Sequence, residues 1–439
     1  MTETDDLVDL VVSTDDLDSE LTERSIRAVR DWIGVATRGS DGDTGDVLRA
    51  YSASSPADGS ATTFDGTVAG PERACLLNGA FGHTLDFDDT FSTFPLHPTT
   101  VVAPAALSAG ELTDADGETF LRGYAVGVEV LYRVGKSVFP TQYGRGFHST
   151  AAVGPIGAAA AAAVVFGLDD GELRNAIGIA ASSAGGLRKN FGTTTKPLHA
   201  GFAASAGLRA VLLARKGATA HPNALGGQSG YGEAMAGEAF DPSELEGDEL
   251  SGVPDIALKL FASAHITHGS MEALRRLRER EGLTPESVVS MTATMHPGGR
   301  EVLIHSDPGD ALEAKFSIEF CLAAVLRSGQ AGLGEFTDGY VTDPETRDAM
   351  ETVDAVYDET AVEGLGRYGG RVTVETTDGE TFEAAAAAPG SPENPASESR
   401  LRDKFESCVA PTNVDAEPLA AAIEGLADGG SVSDVLDAV

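Results

Sequence analysis

Apolar positions along the chain fall into two regimes. Between Ser19 and Arg38, the residues Ile26, Val29, Trp32, Ile33 and Ala36 recur every three or four positions and stop at Gly39, the period of a helix with one buried face. The same period predicts helices over Pro71–Leu85, Ala103–Leu112, Glu118–Val138, an Ala-rich run from about Thr150, Gly171–Ala184 and Pro197–Lys216. Repeated Ala, Gly and Ser positions let these helices approach closely, so helix should pack on helix with little sheet. Beyond Val253-Pro254 the pattern changes. Ser287–Met295 partly alternates and reads as a strand, and Val372–Phe382 reads as a hairpin turning at Asp378-Gly379. Helical patterns at His268–Arg280, Glu313–Arg327 and Asp343–Asp354 lie between these strands, and helical periodicity returns after the Pro/Ser/Glu-rich stretch 389–399. The expected fold is mainly α. A large all-helical domain would comprise residues 1–255 and 395–439, and a smaller α+β domain residues 256–394.

Charge narrows the partners. The chain carries 68 Asp and Glu against 31 Lys and Arg, a net −37. A nucleic-acid binder acting through basic patches is excluded, as is polybasic attachment to a membrane. Only seven of the cations are lysines, a bias shared with proteins of very salty cytoplasm, where ions screen self-repulsion. The charge therefore reads as a halophilic habitat rather than a function. Cys75, Cys321 and Cys408 are far apart and form no CxxC pair, so reduced cytoplasmic thiols are expected rather than a disulfide framework or a zinc site. The acidic N-terminus lacks the positive start of a signal peptide. The longest uncharged run, residues 151–168, is mostly Ala and Gly with Pro155, and reads as a tightly packed core helix too weakly hydrophobic to span a membrane.

Four polar clusters could carry chemistry. The first, His83 to Thr90 followed by His97-Pro98, contains Asp86, Asp88, Asp89 and Thr90. Asp86, Asp88 and Thr90 satisfy the DxDxT signature of magnesium-dependent aspartyl phosphatases, but that chemistry needs a preceding buried strand, and Leu76 to Gly82 is Gly/Ala-spaced and helix-like. An acidic helix cap is the plain alternative. The second cluster is Gly146-Phe147-His148, where a helix N-terminus would keep an imidazole neutral and fit to act as a base. In the third, Arg188 to His199, three threonines and Lys196 precede a helix expected to begin at Pro197, so free N–H groups and an ammonium converge where a carboxylate could bind. The fourth runs from Lys259 to His268. Its His265 and His268 stand three apart, without a carboxylate or cysteine at a spacing that would complete a metal site.

Taken in order, these clusters resemble the MmgE/PrpD family, which includes 2-methylcitrate dehydratase, cis-aconitate decarboxylase and an iminodisuccinate epimerase. The resemblance runs through Asn78-Gly79, the segment from Leu85 to Thr90, His97-Pro98, Gly146 to His148, Thr195 to Gly201, Thr267-His268 and Glu313 to Ser317. It implies a helical domain with an α+β lid, a cytoplasmic homodimer, no metal and no cofactor, and a small carboxylate as substrate. The implied catalytic residues are Asp86, His97, His148, Lys196 and His268; Thr90, Thr195, His199, Lys259 and His265 would bind substrate. Loss of water from a hydroxy-tricarboxylate such as 2-methylcitrate requires a base for a carbon-bound proton beside a carboxylate and a proton for the departing hydroxyl. His148 is the expected base or acid, with His97 or His268 as its partner. Lys196 and the Thr-rich loop would hold the carboxylates, and Asp86 would orient a neighbour. The decarboxylase branch has a tyrosine where Phe320 stands and a histidine where Ala264 stands, and the loss of both polar groups weakens the decarboxylase reading. Lys189 to Gly192 resembles the epimerase branch, whose chemistry needs the same proton abstraction.

Overall fold

The period-3.6 stretch after Asp18 becomes a helix spanning Ser19–Gly39, and the Asp18 carboxylate caps it by accepting from the Leu21 N–H at 2.8 Å. The computed structural model describes residues 2–54, 59 and 61–439, and among them the fold is mainly α, with one four-stranded sheet and two two-stranded ones. Helices Pro71–His83, Thr99–Thr113, Gly117–Val138, Ser149–Phe166 and Thr195–Ala214 pack on one another around the Ala-rich Ser149–Phe166. Small side chains permit this: a Cβ on Gly207 would stand 2.4 Å from the Ala158 methyl. By length and apolarity Ser149–Phe166 and Thr195–Ala214 are each able to cross a membrane, contrary to the weak hydrophobicity expected for the first. They are 94% and 72% buried among other helices.

In the second half, strand Val288–Met295 runs parallel to Val353–Tyr357 and antiparallel to Gly370–Thr376, which pairs with Thr381–Ala386. The hairpin turns at Asp378-Gly379 as expected, with Gly379 at φ 87°. Helices His268–Glu281 and Ile318–Ser328 cover the sheet.

Three expectations need correction. The helix expected over Asp343–Asp354 is short, Pro344–Met350, and its end belongs to the edge strand Val353–Tyr357, where alternate burial rather than helical period decides. The one expected over Glu313–Arg327 is broken at Lys315-Phe316-Ser317, where the Ser317 hydroxyl caps Ile318–Ser328 by accepting from the Phe320 N–H at 3.1 Å. The third-cluster helix begins at Thr195, two residues before Pro197, which still lies in the first turn where a missing N–H costs nothing. Helices at Glu3–Ser13 and Asp43–Ala53 add to those expected; the first carries Leu7, Val8, Leu10 and Val11 at helical spacing, all buried, and the second buries only Leu48 and Gly45.

Two large apolar clusters result. One unites the early helices with Phe405, Leu419, Ile423 and Val435 from the C-terminal segment; the other gathers the sheet and its covering helices. Val35, Phe87 and Cys408 belong to the second cluster although they come from the helical segments, so the two interlock beside the residues described next.

Candidate active site

After helix Pro71–His83 ends, the chain turns sharply through Asp86, whose φ of 49° is left-handed, a region that side chains disfavour but Asp tolerates. Thr90-Phe91 then pairs with Ile256-Ala257, which draws the Lys259 segment alongside. Gly390 lets that segment seat: the Leu258 N–H donates to its carbonyl at 3.0 Å, and a Cβ there would collide with the Leu258 carbonyl. The Asp86 Oδ1 accepts from Lys259 Nζ at 2.7 Å and from Lys196 Nζ at 3.0 Å, all three residues being buried. Burial alone would raise the Asp86 carboxyl; the two ammoniums outweigh it and hold it well below the usual carboxylate range.

Around this centre stands a group of imidazoles. The His83 and His97 rings lie 4.4 Å apart, and His83 and His148 stack at 5.8 Å. His83 Nδ1 donates to Asp88 Oδ2 at 2.8 Å. His97 Nδ1 meets the Asp89 carbonyl at 2.8 Å; a carbonyl can only accept, so Nδ1 carries the proton and a neutral His97 presents Nε2 as a free lone pair. His148 caps helix Ser149–Phe166 from a strand-like conformation, its N–H donating to Gly186 at 3.1 Å, and its Nδ1 lies 3.1 Å from His199 Nδ1. Burial, reinforced by the Lys196 charge, holds His148 well below an ordinary histidine; burial pushes His83 down to about 3 and His199 to about 4. The imidazoles are neutral at physiological pH. Asp89 is the helix cap anticipated as the plain reading of the acidic cluster: its Oδ1 accepts from the Thr99 N–H at 3.2 Å, and burial pushes its carboxyl up to about 8.

Asp86, His97, His148, Lys196 and Lys259 line one cavity, in which about 50 Å³ is open to the centre of a water molecule, while His83, Asp88 and Asp89 stand outside its wall. Of the ten residues expected in the site, Asp86, Thr90, His97, His148, Lys196, Lys259 and His265 are in its wall. The other three are not. His268 is wholly buried behind His265, with ring centroids 4.6 Å apart; His199 stands behind His148; Thr195 opens the helix that carries Lys196. Arg188 is spent on Glu301 at 2.8 Å and stacks on Tyr143, and Lys189 is exposed, so Lys196 is the only cation of its loop in the wall. Sequence patterns missed Tyr143, Tyr368 and Val302, which arrive from separate segments without a local signal; Phe191 and Phe316 lie in segments that resembled the family but were given no role. Tyr368 stacks on His265 with centroids 4.5 Å apart, and its hydroxyl has no partner among the described residues.

Nitrogens of His83, His97 and His148 lie within 4.8 Å of one another, as do ligand atoms of His83, Asp86, Asp88 and His97. Much of that donor set is already committed: Asp86 is paired to two ammoniums, and both Nδ1 atoms of His83 and His97 hold protons. What the arrangement offers chemically is a neutral base beside two fixed positive charges, suited to drawing a proton from a carbon next to a carboxylate.

Comparison with known proteins identifies the family. Residues 9–243 match the MmgE/PrpD N-terminal domain and residues 261–426 the MmgE/PrpD C-terminal domain. Human cis-aconitate decarboxylase is 27% identical over 407 residues, covering 89% of this chain and 84% of its own length. A cis-aconitate decarboxylase of Aspergillus terreus is 26% identical over 435 residues (90% and 86%), and that of Mus musculus 28% over 408 (88% and 82%). With both domain models matched across most of its length, this chain belongs to the MmgE/PrpD family.

Proposed function

We propose that the chain is a lyase that removes a proton from carbon beside a carboxylate of a small di- or tricarboxylate, and that its overall reaction is loss of water from a hydroxy-tricarboxylate such as 2-methylcitrate. The carrying observation is the set of neutral imidazoles facing the Lys196–Lys259 pair across one cavity. The substrate carboxylate next to the reacting carbon rests on the two ammoniums. With Nδ1–H directed to His199, His148 takes the carbon-bound proton at Nε2, and the ammoniums stabilise the charge that passes onto the carboxylate. The free Nε2 of His97 accepts a hydrogen bond from the substrate hydroxyl. The His148 imidazolium then returns the proton to that hydroxyl as its carbon–oxygen bond breaks, and water leaves with the imidazole neutral again.

The relatives' names favour a second reading, decarboxylation of cis-aconitate. It needs a protonated donor for the carbanion left when carbon dioxide departs, which the Tyr143 and Tyr368 hydroxyls or the two ammoniums of the wall can supply, whereas burial holds the imidazoles unprotonated. Ala264 in the cavity wall supplies no proton either; buried Phe320, outside the wall, bears on neither reading. Incubation in high salt with 2-methylcitrate, citrate, cis-aconitate and aspartate-derived acids, followed by mass and chiral analysis, tests the proposal. Loss of one water supports it. Loss of carbon dioxide, or unchanged mass with inverted chirality, replaces it with decarboxylation or epimerisation.

A further inference from the structure

Leu85, Asp86 and Phe87 present three consecutive carbonyls, and each accepts from a different ammonium. Lys315 Nζ donates to Leu85 at 2.7 Å, Lys259 Nζ to Asp86 at 2.9 Å and Lys404 Nζ to Phe87 at 2.8 Å. With Lys196 on the Asp86 side chain, four of the chain's seven lysines converge on three residues. They come from unconnected places: the start of helix Thr195–Ala214, the strand-paired segment after Ala257, the break before helix Ile318–Ser328, and helix Glu398–Val409. Lys196 and Lys259 line the cavity; Lys315 and Lys404 do not.

Lys404 has an evident structural partner, Asp31, whose Oδ2 accepts at 2.8 Å. Lys315 does not. Among the described residues no carboxylate lies within ion-pair distance of it; its other contacts are the Ala262 carbonyl at 2.9 Å and the Phe336 ring at 4.6 Å. Burying an ammonium without a counter-ion is unfavourable, and the two carbonyls it holds, with the Phe336 ring, offset that cost. The residue between the two pinned carbonyls is the left-handed Asp86.

We propose that Lys315 and Lys404 are positioning residues that fix the Leu85–Asp86 and Phe87–Asp88 peptide planes on either side of the one Lys259 holds, and so keep Asp86 in the left-handed conformation that directs its carboxylate between Lys196 and Lys259. This rests on the reading of Asp86 as part of the active site. If either clamp is removed, Asp86 relaxes to negative φ and the two ammoniums lose their shared counter-ion.

The test compares Lys404→Met, Lys404→Arg, Lys315→Met and Asp31→Asn in the full chain. Asp31→Asn removes the ion pair but leaves the Lys404 bond to Phe87. The expected result is a kcat about 100-fold lower for Lys404→Met and Lys315→Met, the scale of a misplacement of about 1 Å, with Asp31→Asn within about threefold of wild type despite a lowered Tm. Lys404→Arg, which can still reach the carbonyl, restores most of the rate. Crystals of Lys315→Met show Asp86 at negative φ. Equal kcat for Lys404→Met and Asp31→Asn, or a left-handed Asp86 in the Lys315→Met crystals, overturns the proposal. If wild type transforms no carboxylate, the functional reading fails instead, and the Asp86 backbone angle still decides on the clamp.

Discussion

The buried charges around Arg133 and those around Asp86 differ in how fully their hydrogen-bonding capacity is used. In helix Gly117–Val138, Arg133 Nε donates to Glu129 at 2.7 Å, while its other nitrogens donate to the carbonyls of Leu245, Gly247 and Glu249. The second Glu129 oxygen accepts from the Gly252 N–H at 2.6 Å. The cluster around Asp86 is equally buried, yet among the described residues Asp86 Oδ2, Asp88 Oδ1, His83 Nε2, both His265 ring nitrogens and the Tyr368 hydroxyl have no partner. A satisfied network fixes a loop to a helix; an unsatisfied one retains free acceptors and donors for a ligand that will complete it. Charge burial alone does not mark a site. Unspent hydrogen-bonding capacity facing a cavity does.

The sharpest way to break this contrast is His148→Ala. Turnover should fall by about 1000-fold, within the range for a lost general base, with Tm unchanged within about 3 °C. Unchanged turnover would refute the base assignment. Arg133→Met should do the reverse, costing about 3–5 kcal/mol in urea unfolding because Glu129 is left buried and alone, while the folded fraction keeps its kcat and KM. A large loss of kcat at unchanged stability would erase the distinction between the clusters. Acid should then discriminate between them. Histidines in the unfolded chain protonate near 6.5, whereas burial keeps His83 down at about 3 and His199 at about 4. Between those values the unfolded chain binds more protons, so stability must fall as pH is lowered through 6.5 and continue falling toward 3. Because the Arg133 network contains no histidine, Arg133→Met should show the same slope from a lower start; a flattened slope in Tm against pH would contradict this. The smallest effect is expected for Lys189→Ala. Exposed and outside the cavity wall, Lys189 should leave KM within about twofold, and a larger rise would mark it as a substrate-binding residue.

Much of this was legible in the sequence, for identifiable reasons. The Ser149–Phe166 helix and the Asp378-Gly379 hairpin follow from strong local patterns. Asp86, His97, His148 and Lys196 stand in dense polar clusters, a signal that survives without coordinates. The resemblance at Thr267-His268 marks the segment but not which ring faces the cavity; after the turn at His265–Thr267, His265 lines the wall and His268 is wholly buried. Tyr143, Tyr368 and Val302 were invisible because tertiary packing alone brings them together. Lys404 sits in an ordinary helical pattern, where only the rarity of lysine could have drawn the eye, and Lys315 lies in the Glu313–Ser317 segment, whose resemblance to the family gave it no role.

That rarity has a practical side. Four of seven ε-amines are locked in the interior, Lys136 is tied to Glu244, and Lys189 and Lys216 stand in the open. Amine-directed reagents, whether a fluorophore or an activated resin, should therefore attach at one or two defined points on the surface and leave the cavity chemically untouched, so the protein can be tagged or immobilised through its native lysines without an engineered handle.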